Sequence, residues 1–190
     1  VEYAFKSVDF DRPSFLFRFE DVLKGPLGGL FYRSFVGFMK LRGDERILDF
    51  GCGGGALTKV LLKYLDDNGS VTCLDTSGFW VERTRKRLSS YGNVTCLKGD
   101  IRSAKIPDGS FDAIAIVHVI HDIAPAERVS TVLSLAKKLA DNGRLFIYEP
   151  TRPSHGMSIK EIRLLMNNAG LKQVKAVLKN SAYRGQFERI

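Results

Sequence analysis

Asp49-Phe50-Gly51-Cys52-Gly53-Gly54-Gly55-Ala56 decides the fold of this 190-residue chain. An apolar run, Ile47–Phe50, leads into it and a helical segment, Ala56–Leu65, leaves it. Glycines at a strand-to-helix turn let the backbone bend sharply and let a ligand approach where a Cβ would otherwise stand. The spacing Gly51-x-Gly53-x-x-Ala56 satisfies the dinucleotide-binding fingerprint, and Asp75 lies where an acidic ribose ligand belongs. A phosphate-binding P-loop is excluded, because no Gly-Lys-Ser/Thr follows the glycines.

Outward from this turn the pattern is regular. Short apolar strands (Ile47–Phe50, Val71–Asp75, Val94–Leu97, Ala113–Val117, Leu145–Tyr148) alternate with helical segments (Ala56–Leu65, Phe79–Ser89, Ala126–Ala140). Ser158 with Glu161 forms a capping box that opens a further helix, and Gly170 stops it. Two β-rich pieces, Gln173–Leu178 and Ala182–Glu188, close the sheet as an antiparallel hairpin. The expectation is an α/β, doubly wound, mostly parallel seven-stranded sheet with an antiparallel final strand, Rossmann-like in design.

Upstream lies a segment of different character. Residues 1–43 hold half of all the aromatic side chains, including Phe15, Phe17 and Phe19 in alternation. A Gly/Pro break at residues 25–29 precedes a helix over Leu30–Lys40, with Phe31, Phe35 and Phe38 on one face. Residues 1–43 therefore read as an aromatic-rich helical or lid segment, and residues 44–190 as the cofactor-binding domain. The segment either covers an apolar ligand or packs as ordinary core.

Asp49 bears on the cofactor. A carboxylate two residues before the first glycine would repel the pyrophosphate of NAD. It suits a ligand that places an ammonium or sulfonium at the loop, as S-adenosylmethionine does. Opposite charges a few ångströms apart in a partly dry cleft are worth on the order of a few kcal/mol, and like charges cost as much. A strand-end carboxylate can also simply cap the loop.

Taken in order, several motifs now resemble one family. They are residues 49–55, Asp75 closing strand two, Gly99-Asp100-Ile101, Pro107-Asp108-Gly109-Ser110-Phe111-Asp112 entering strand four, and Asn142-Gly143-Arg144 entering strand five. The chain resembles class I S-adenosylmethionine-dependent methyltransferases of the small-molecule type found in quinone biosynthesis, closely over residues 44–150 and loosely over 151–190. The resemblance implies S-adenosylmethionine as cofactor. It places Gly51, Gly53 and Gly55 at the methionine part with Asp49 near its ammonium, and Asp75 on both ribose hydroxyls. Asp100 would accept from the adenine amine, with Ile101 against the ring. Thr76 and Phe79 would flank the adenosine, and Phe50 and His118 complete the set. Asp100 as a turn residue and Phe79 as core are the plain alternatives.

On the acceptor side, methyl transfer from a sulfonium needs alignment and desolvation, and a base only where the acceptor loses a proton. His118 and His121 are the candidates for that base; a structural role is the simpler account of the pair. His118 occupies the place where amine and amide methyltransferases of this fold carry Asn/Asp-Pro-Pro-Tyr/Phe, which argues against that acceptor group. Tyr32, Arg33 and Glu149 are further pocket candidates. His155 could join a His-x-x-His-Asp cluster, but no metal site is expected. The stretch Thr151–Met157 is read as a short loop without room for a cap.

Composition narrows the partners. The net charge of +8 is uneven: residues 1–43 contribute +2, residues 44–150 balance, and residues 151–190 contribute +6. The cofactor region is thus neutral, and the basic excess is a poor sign of nucleic acid. The longest apolar run, Ala113–Val117, is far short of the roughly 18 residues a membrane helix needs. Cys52, Cys73 and Cys96 form no CxxC, so a reduced, cytoplasmic setting is expected. The reading is a methyltransferase acting on a small, apolar or aromatic acceptor. An RNA methyltransferase using the basic C-terminal region, and a cofactor-binding protein without chemistry, are the alternatives.

Overall fold

The computed structural model describes residues 29–190. The alternating Phe15, Phe17 and Phe19 and most of the Gly/Pro break lie outside the described residues. Helix α1 covers residues 29–39. There follow β1 (Arg46–Phe50), α2 (Ala56–Leu61), β2 (Ser70–Asp75), α3 (Gly78–Arg87), β3 (Val94–Lys98), β4 (Phe111–Val117) and a 3-10 turn at Ile120–Asp122. Then come α4 (Pro125–Lys138), β5 (Leu139–Arg152), β6 (His155–Gly156), α5 (Ile159–Asn168), β7 (Leu171–Lys179) and β8 (Ala182–Arg189).

The sheet runs β3-β2-β1-β4-β5-β8-β7, with β6 beside β5. Pairing is parallel from β3 through β5, and β8 is antiparallel to both β5 and β7. The expected seven strands and antiparallel last strand are present; two-residue β6 adds an eighth. Strand order reverses at β1, which lies between β2 and β4, so helices cover both faces of the sheet, α1 and α2 one and α4 and α5 the other.

Side chains alternate across the strands as a period of two requires. Leu48, Ile114, Ile116, Leu145 and Ile147 face Val132 and Leu135 of α4 and Ile162 and Met166 of α5. Ile47, Ala113, Ala115, Phe146 and Tyr148 face Phe35 and Met39 of α1 and Leu57 and Leu61 of α2. The small residues of β4 thus lie on the side that α1 and α2 cover. Phe35 and Phe38 are buried, so this part of α1 is core.

Several segments differ from expectation: α4 ends at Lys138, and β5 begins at Leu139, six residues before the expected strand start. Helix α2 ends at Leu61 rather than Leu65, because the chain tightens into three-residue turns: Lys63 N–H donates to Val60 and Tyr64 N–H to Leu61. The expected loop at 151–157 is largely a hairpin. Strand β5 continues to Arg152, reverses at Pro153-Ser154 and pairs back through His155 and Gly156. Elsewhere the caps act as read: Ser158 Oγ accepts from Glu161 N–H at 3.1 Å, and Gly170 stops α5 with φ +72°. The β7–β8 turn places Asn180 and Ser181 at φ +51° and +56°, the hairpin geometry that matches strand twist.

Helix α1 is tied to the sheet by a buried carboxylate that has no sequence signature. Glu45, 1% exposed, accepts N–H bonds from Arg42 (2.8 Å) and Gly43 (2.9 Å) and one from Arg144 Nη2 (3.0 Å). Arg144 Nη1 also donates to the Met39 carbonyl at the end of α1 (3.0 Å). Glu45→Ala removes the acceptor and strands these donors, at a cost of about 1–3 kcal/mol. A lowered urea midpoint with an unchanged slope is the expected result; an unchanged midpoint would show that α1 is held by apolar packing alone.

Candidate active site

Ligands of open α/β sheets bind beyond the carboxyl ends of the strands, where strand order reverses. A cleft of about 340 Å³ opens there, along the ends of β1, β2 and β4. Gly51 closes its floor. Its N–H donates to the Leu74 carbonyl at 2.8 Å with φ +70°, and a Cβ on it would lie 2.5 Å from Val119 Cγ2. Gly53 stands differently: φ is +49°, and an added Cβ would meet nothing within 4 Å. The loop is therefore open on the side a ligand must approach. Thr84 Oγ1 and Arg87 Nη1 donate to the Gly53 and Gly54 carbonyls (2.6 and 2.5 Å), pinning the loop to α3.

Asp75, at the end of β2, is held by backbone donors. Gly53 N–H reaches Oδ2 and Ser77 N–H reaches Oδ1, both at 2.9 Å. Asp100 follows β3 and is chelated by Arg102: the Arg102 N–H and Nε bond Oδ1 at 2.8 and 3.0 Å, and Nη2 bonds Oδ2 at 2.5 Å. That hydrogen bonding holds Asp100 below the usual carboxylate range. Arg102 Nη1 also reaches Glu127 of α4 at 2.9 Å, so one guanidinium bridges two elements beside the cleft.

The cleft lining brings together Phe50, Gly51, Gly53, Asp75, Thr76, Asp100, Ile101 and His118 of the expected residues. It leaves out Asp49, Gly55, Phe79 and His121. Gly55 caps α2. Phe79 packs edge-on against Trp80 at 5.1 Å, and Trp80 is the ring that lines the cleft. Sequence alone gave two adjacent aromatics at a helix start; the Ser77 cap, accepting from Trp80 N–H, sets which one turns inward. Arg102, Val119 and Glu127 also line the cleft and carry no sequence motif, and Asp122, the last residue of the His-x-x-His-Asp cluster, lines it beside them.

Asp49 lies beneath the loop, 1% exposed, and accepts from Thr58 Oγ1 at 2.5 Å. Burial pushes its carboxyl up to about 7, against the Thr58 hydrogen bond and aided by the charge of Asp75.

His118 stands at the junction of the cleft and an aromatic wall. It is exposed, holds φ +57°, and its N–H donates to the Tyr148 carbonyl at 2.9 Å. Its ring meets Phe31 and Tyr148 edge-on at 5.6 and 5.4 Å, and those two rings stack at 4.7 Å. Tyr32 sits edge-on to Phe31 at 5.1 Å, whereas Arg33 is exposed and away from the cleft. His121 is buried behind, with Nδ1 2.5 Å from Glu149 Oε2.

A glycine turn after β1, a carboxylate ending β2 and another following β3, all at the reversal point, define the class: a Rossmann-like methyltransferase of class I. The methyltransferase domain family model matches residues 47–143, half of the chain, and the chain belongs to that family. It is 29% identical over 140 residues to the ubiquinone/menaquinone biosynthesis C-methyltransferase UbiE of Azotobacter vinelandii, covering 72% of this chain and 54% of that protein. The chain thus spans about half the length of the curated relatives it matches. Among solved structures, a SAM-dependent methyltransferase from Aquifex aeolicus superposes with a TM-score of 0.75 at 19% identity, over 84% of this chain and 89% of that one. The [4+2]-cyclase SpnF superposes at 0.68 with 19% identity, over 78% and 60%.

The cofactor of the class is S-adenosylmethionine, and the lining fits it. Gly53 leaves an open face, Asp75 is an acceptor-only group already oriented, and Asp75, Asp100, Asp122 and Glu127 outnumber Arg102 beside a cationic donor.

The buried Asp49 carries a consequence for stability. Its folded-state value, about 7, exceeds the ordinary 3.8, so the folded protein holds a proton that the unfolded chain releases between these values. Stability therefore falls as pH rises from about 4 to 7 and stays lowered above. Asp49→Asn removes this dependence. Urea midpoints should favour the variant at pH 8, with the difference shrinking toward pH 5; parallel profiles would contradict a buried, proton-binding Asp49.

Proposed function

We propose that this chain transfers the methyl group of S-adenosylmethionine to a small apolar or aromatic acceptor bound beside His118, against α1. The observation that carries this is the aromatic wall. Phe31, Tyr32, Tyr148 and His118 form one contiguous set of rings, and His118 also lines the cofactor cleft. A planar apolar ring is the chemistry such a wall recognises. The UbiE relatives are C-methyltransferases of ubiquinone and menaquinone biosynthesis, which supports a quinone-type acceptor methylated at carbon.

In this reading Asp75 accepts from the ribose hydroxyls, and its backbone anchors spare it any reorganisation on binding. Asp100, steadied by Arg102, takes the adenine edge, with Ile101 against the ring and Thr76 and Trp80, in place of Phe79, beside the adenosine. Phe50, Gly51 and Gly53 shape the methionine channel; Gly55, which caps α2, and the buried Asp49 support the loop from behind rather than line it. When bound, the cofactor supplies a methyl group already activated on a sulfonium. The chain adds alignment along the line from cleft to His118 and the exclusion of water by the rings. His118 and His121 are the candidates for proton handling. Helix α1, in the described part of the 1–43 segment, acts as the acceptor cover, and residues 44–190 as the donor domain.

The basic C-terminal residues favour this reading over an RNA acceptor, because several serve packing. Lys175 Nζ stands 4.3 Å from the Phe38 ring centre, Arg184 stacks on Tyr148 at 4.5 Å, and Arg189 donates to the Leu139 carbonyl at 2.6 Å. No helix among the described residues is long and apolar enough to cross a membrane.

Calorimetry tests the donor half. S-adenosylmethionine or its demethylated product should bind with micromolar affinity and NADH should give no heat; the opposite result overturns the reading. Asp75→Ala should weaken donor binding by about ten- to a hundredfold, the worth of charge-assisted hydrogen bonds. Phe31→Ala should raise the acceptor KM and leave donor affinity intact; an unchanged KM would remove the aromatic wall from the site.

A further inference from the structure

The turn after β4 carries two neighbouring groups in opposite settings. Asp122 lines the cleft with its side chain 43% exposed, and His121 lies buried behind it. His121 Nε2 is 3.4 Å from Asp122 Oδ1 and 3.2 Å from His155 Nε2. Its Nδ1 is 2.5 Å from Glu149 Oε2. Glu149 is fully buried, and its Oε1 accepts the N–H groups of Val119 (2.9 Å) and Ile120 (2.8 Å). Those two bonds fix the carboxylate, and the carboxylate fixes the imidazole with Nδ1–H toward Glu149. Nε2 is thereby turned to Asp122 on one side and His155 on the other. His155, on the β5–β6 hairpin, is exposed. A line of titratable groups runs from cleft to solvent.

We propose that Asp122 takes the proton the acceptor gives up on methylation, and that His121, held by Glu149, passes it through His155 to water. The proposal rests on the methyl-transfer reading above. When the acceptor atom bears hydrogen, its bond to the methyl carbon forms as the carbon–sulfur pair returns to sulfur, and one proton must leave. That proton goes to the Asp122 carboxylate. Asp122 O–H then donates to neutral His121 at Nε2, and Glu149 stabilises the imidazolium. The Nε2 proton moves to His155 Nε2, and His155 releases its Nδ1 proton to solvent. The balance closes without any further reactant.

The charges facing His121 come from four elements. Glu149 is on β5, Asp122 on the same turn, and His155 on β6. Arg128 of α4 donates to the His121 carbonyl at 2.9 Å and pairs with Glu161 of α5 at 2.6 Å; the His118 ring centre is 6.3 Å away. Burial opposes the charged imidazole, but Glu149 and Asp122 outweigh it and Arg128, leaving His121 above its ordinary 6.5. Burial raises Asp122 too, against the pull of His121 and His155. The relay accepts a proton only while His121 is neutral, so turnover rises with pH through a midpoint above 6.5.

The chain has three histidines, so nitrogen-detected NMR resolves each imidazole without any acceptor. His121 should keep its Nδ1 proton throughout, titrate above 6.5, and move to a lower midpoint in Asp122→Asn; His155→Gln should also shift it. A His121 that titrates independently of both substitutions overturns the relay. Turnover with a short-chain prenyl-1,4-naphthoquinol as probe supplies the second readout. Asp122→Asn should lower kcat by about a hundredfold or more, the usual worth of a positioned base, a loss larger than any it causes in donor affinity by calorimetry. His155→Gln should shift the rising pH limb rather than KM. Full kcat in Asp122→Asn overturns the proposal. Failure of the wild type to bind S-adenosylmethionine sinks the donor reading instead. A wild type that binds the donor but leaves the naphthoquinol unchanged refutes that acceptor class, and the relay is then judged by the histidine titrations.

Discussion

Gly51 has to bring its N–H within 2.8 Å of the Leu74 carbonyl while leaving space for Val119, whose methyl would lie 2.5 Å from any Cβ. That one close approach ties together the ends of β1 and β2 and the turn after β4. Once these chain ends converge, much else is settled. Cys52 N–H shares the Leu74 carbonyl, Gly53 N–H finds Asp75, and Val119 N–H turns back to Glu149. The cofactor cleft and the buried His121–Glu149 pair are two sides of the same crossing. A side chain at position 51 would pry apart both.

Much of this was legible from residue order because it rests on local rules. Alternating apolar runs and helical segments gave the doubly wound sheet, and Asp75 and Asp100 stand at strand ends as their spacing required. What stayed hidden depends on side chains brought together from distant positions. Thr58 meets Asp49 only through the phase of α2. Arg102 joins Asp100 to Glu127 only because α4 starts beside the loop after β3. His155 reaches His121 only because residues 151–157 pair as a hairpin, whereas Gly156 and the Pro153-Ser154 turn look in sequence like an ordinary loop. Trp80 rather than Phe79 faces the cleft for want of a single helical step.

The structural likeness to both a methyltransferase and a [4+2]-cyclase shows how little the scaffold dictates. What distinguishes this chain lies beyond the donor residues. The rings of Phe31, Tyr148 and His118 are held together by α1, and α1 is anchored by Glu45 and Arg144 at the opposite end of the sheet. The geometry of these rings is thus coupled to packing many residues away. His118 holds a left-handed backbone that favours glycine or asparagine, a strain of about 1–2 kcal/mol offset by its neighbours.

Strand β7 forms one edge of the sheet, and nearly all of it beyond Leu171 is solvent-accessible, including Val174, Val177 and Leu178. An uncovered strand with such residues is a template on which another chain could add. Lys172, Lys175 and Lys179 are spaced along it, and charged side chains on an edge oppose that pairing. These three lysines therefore act as insulators: they disfavour extension of the sheet by neighbouring molecules, and modifying them to neutral amides would convert a quiet border into a sticky one.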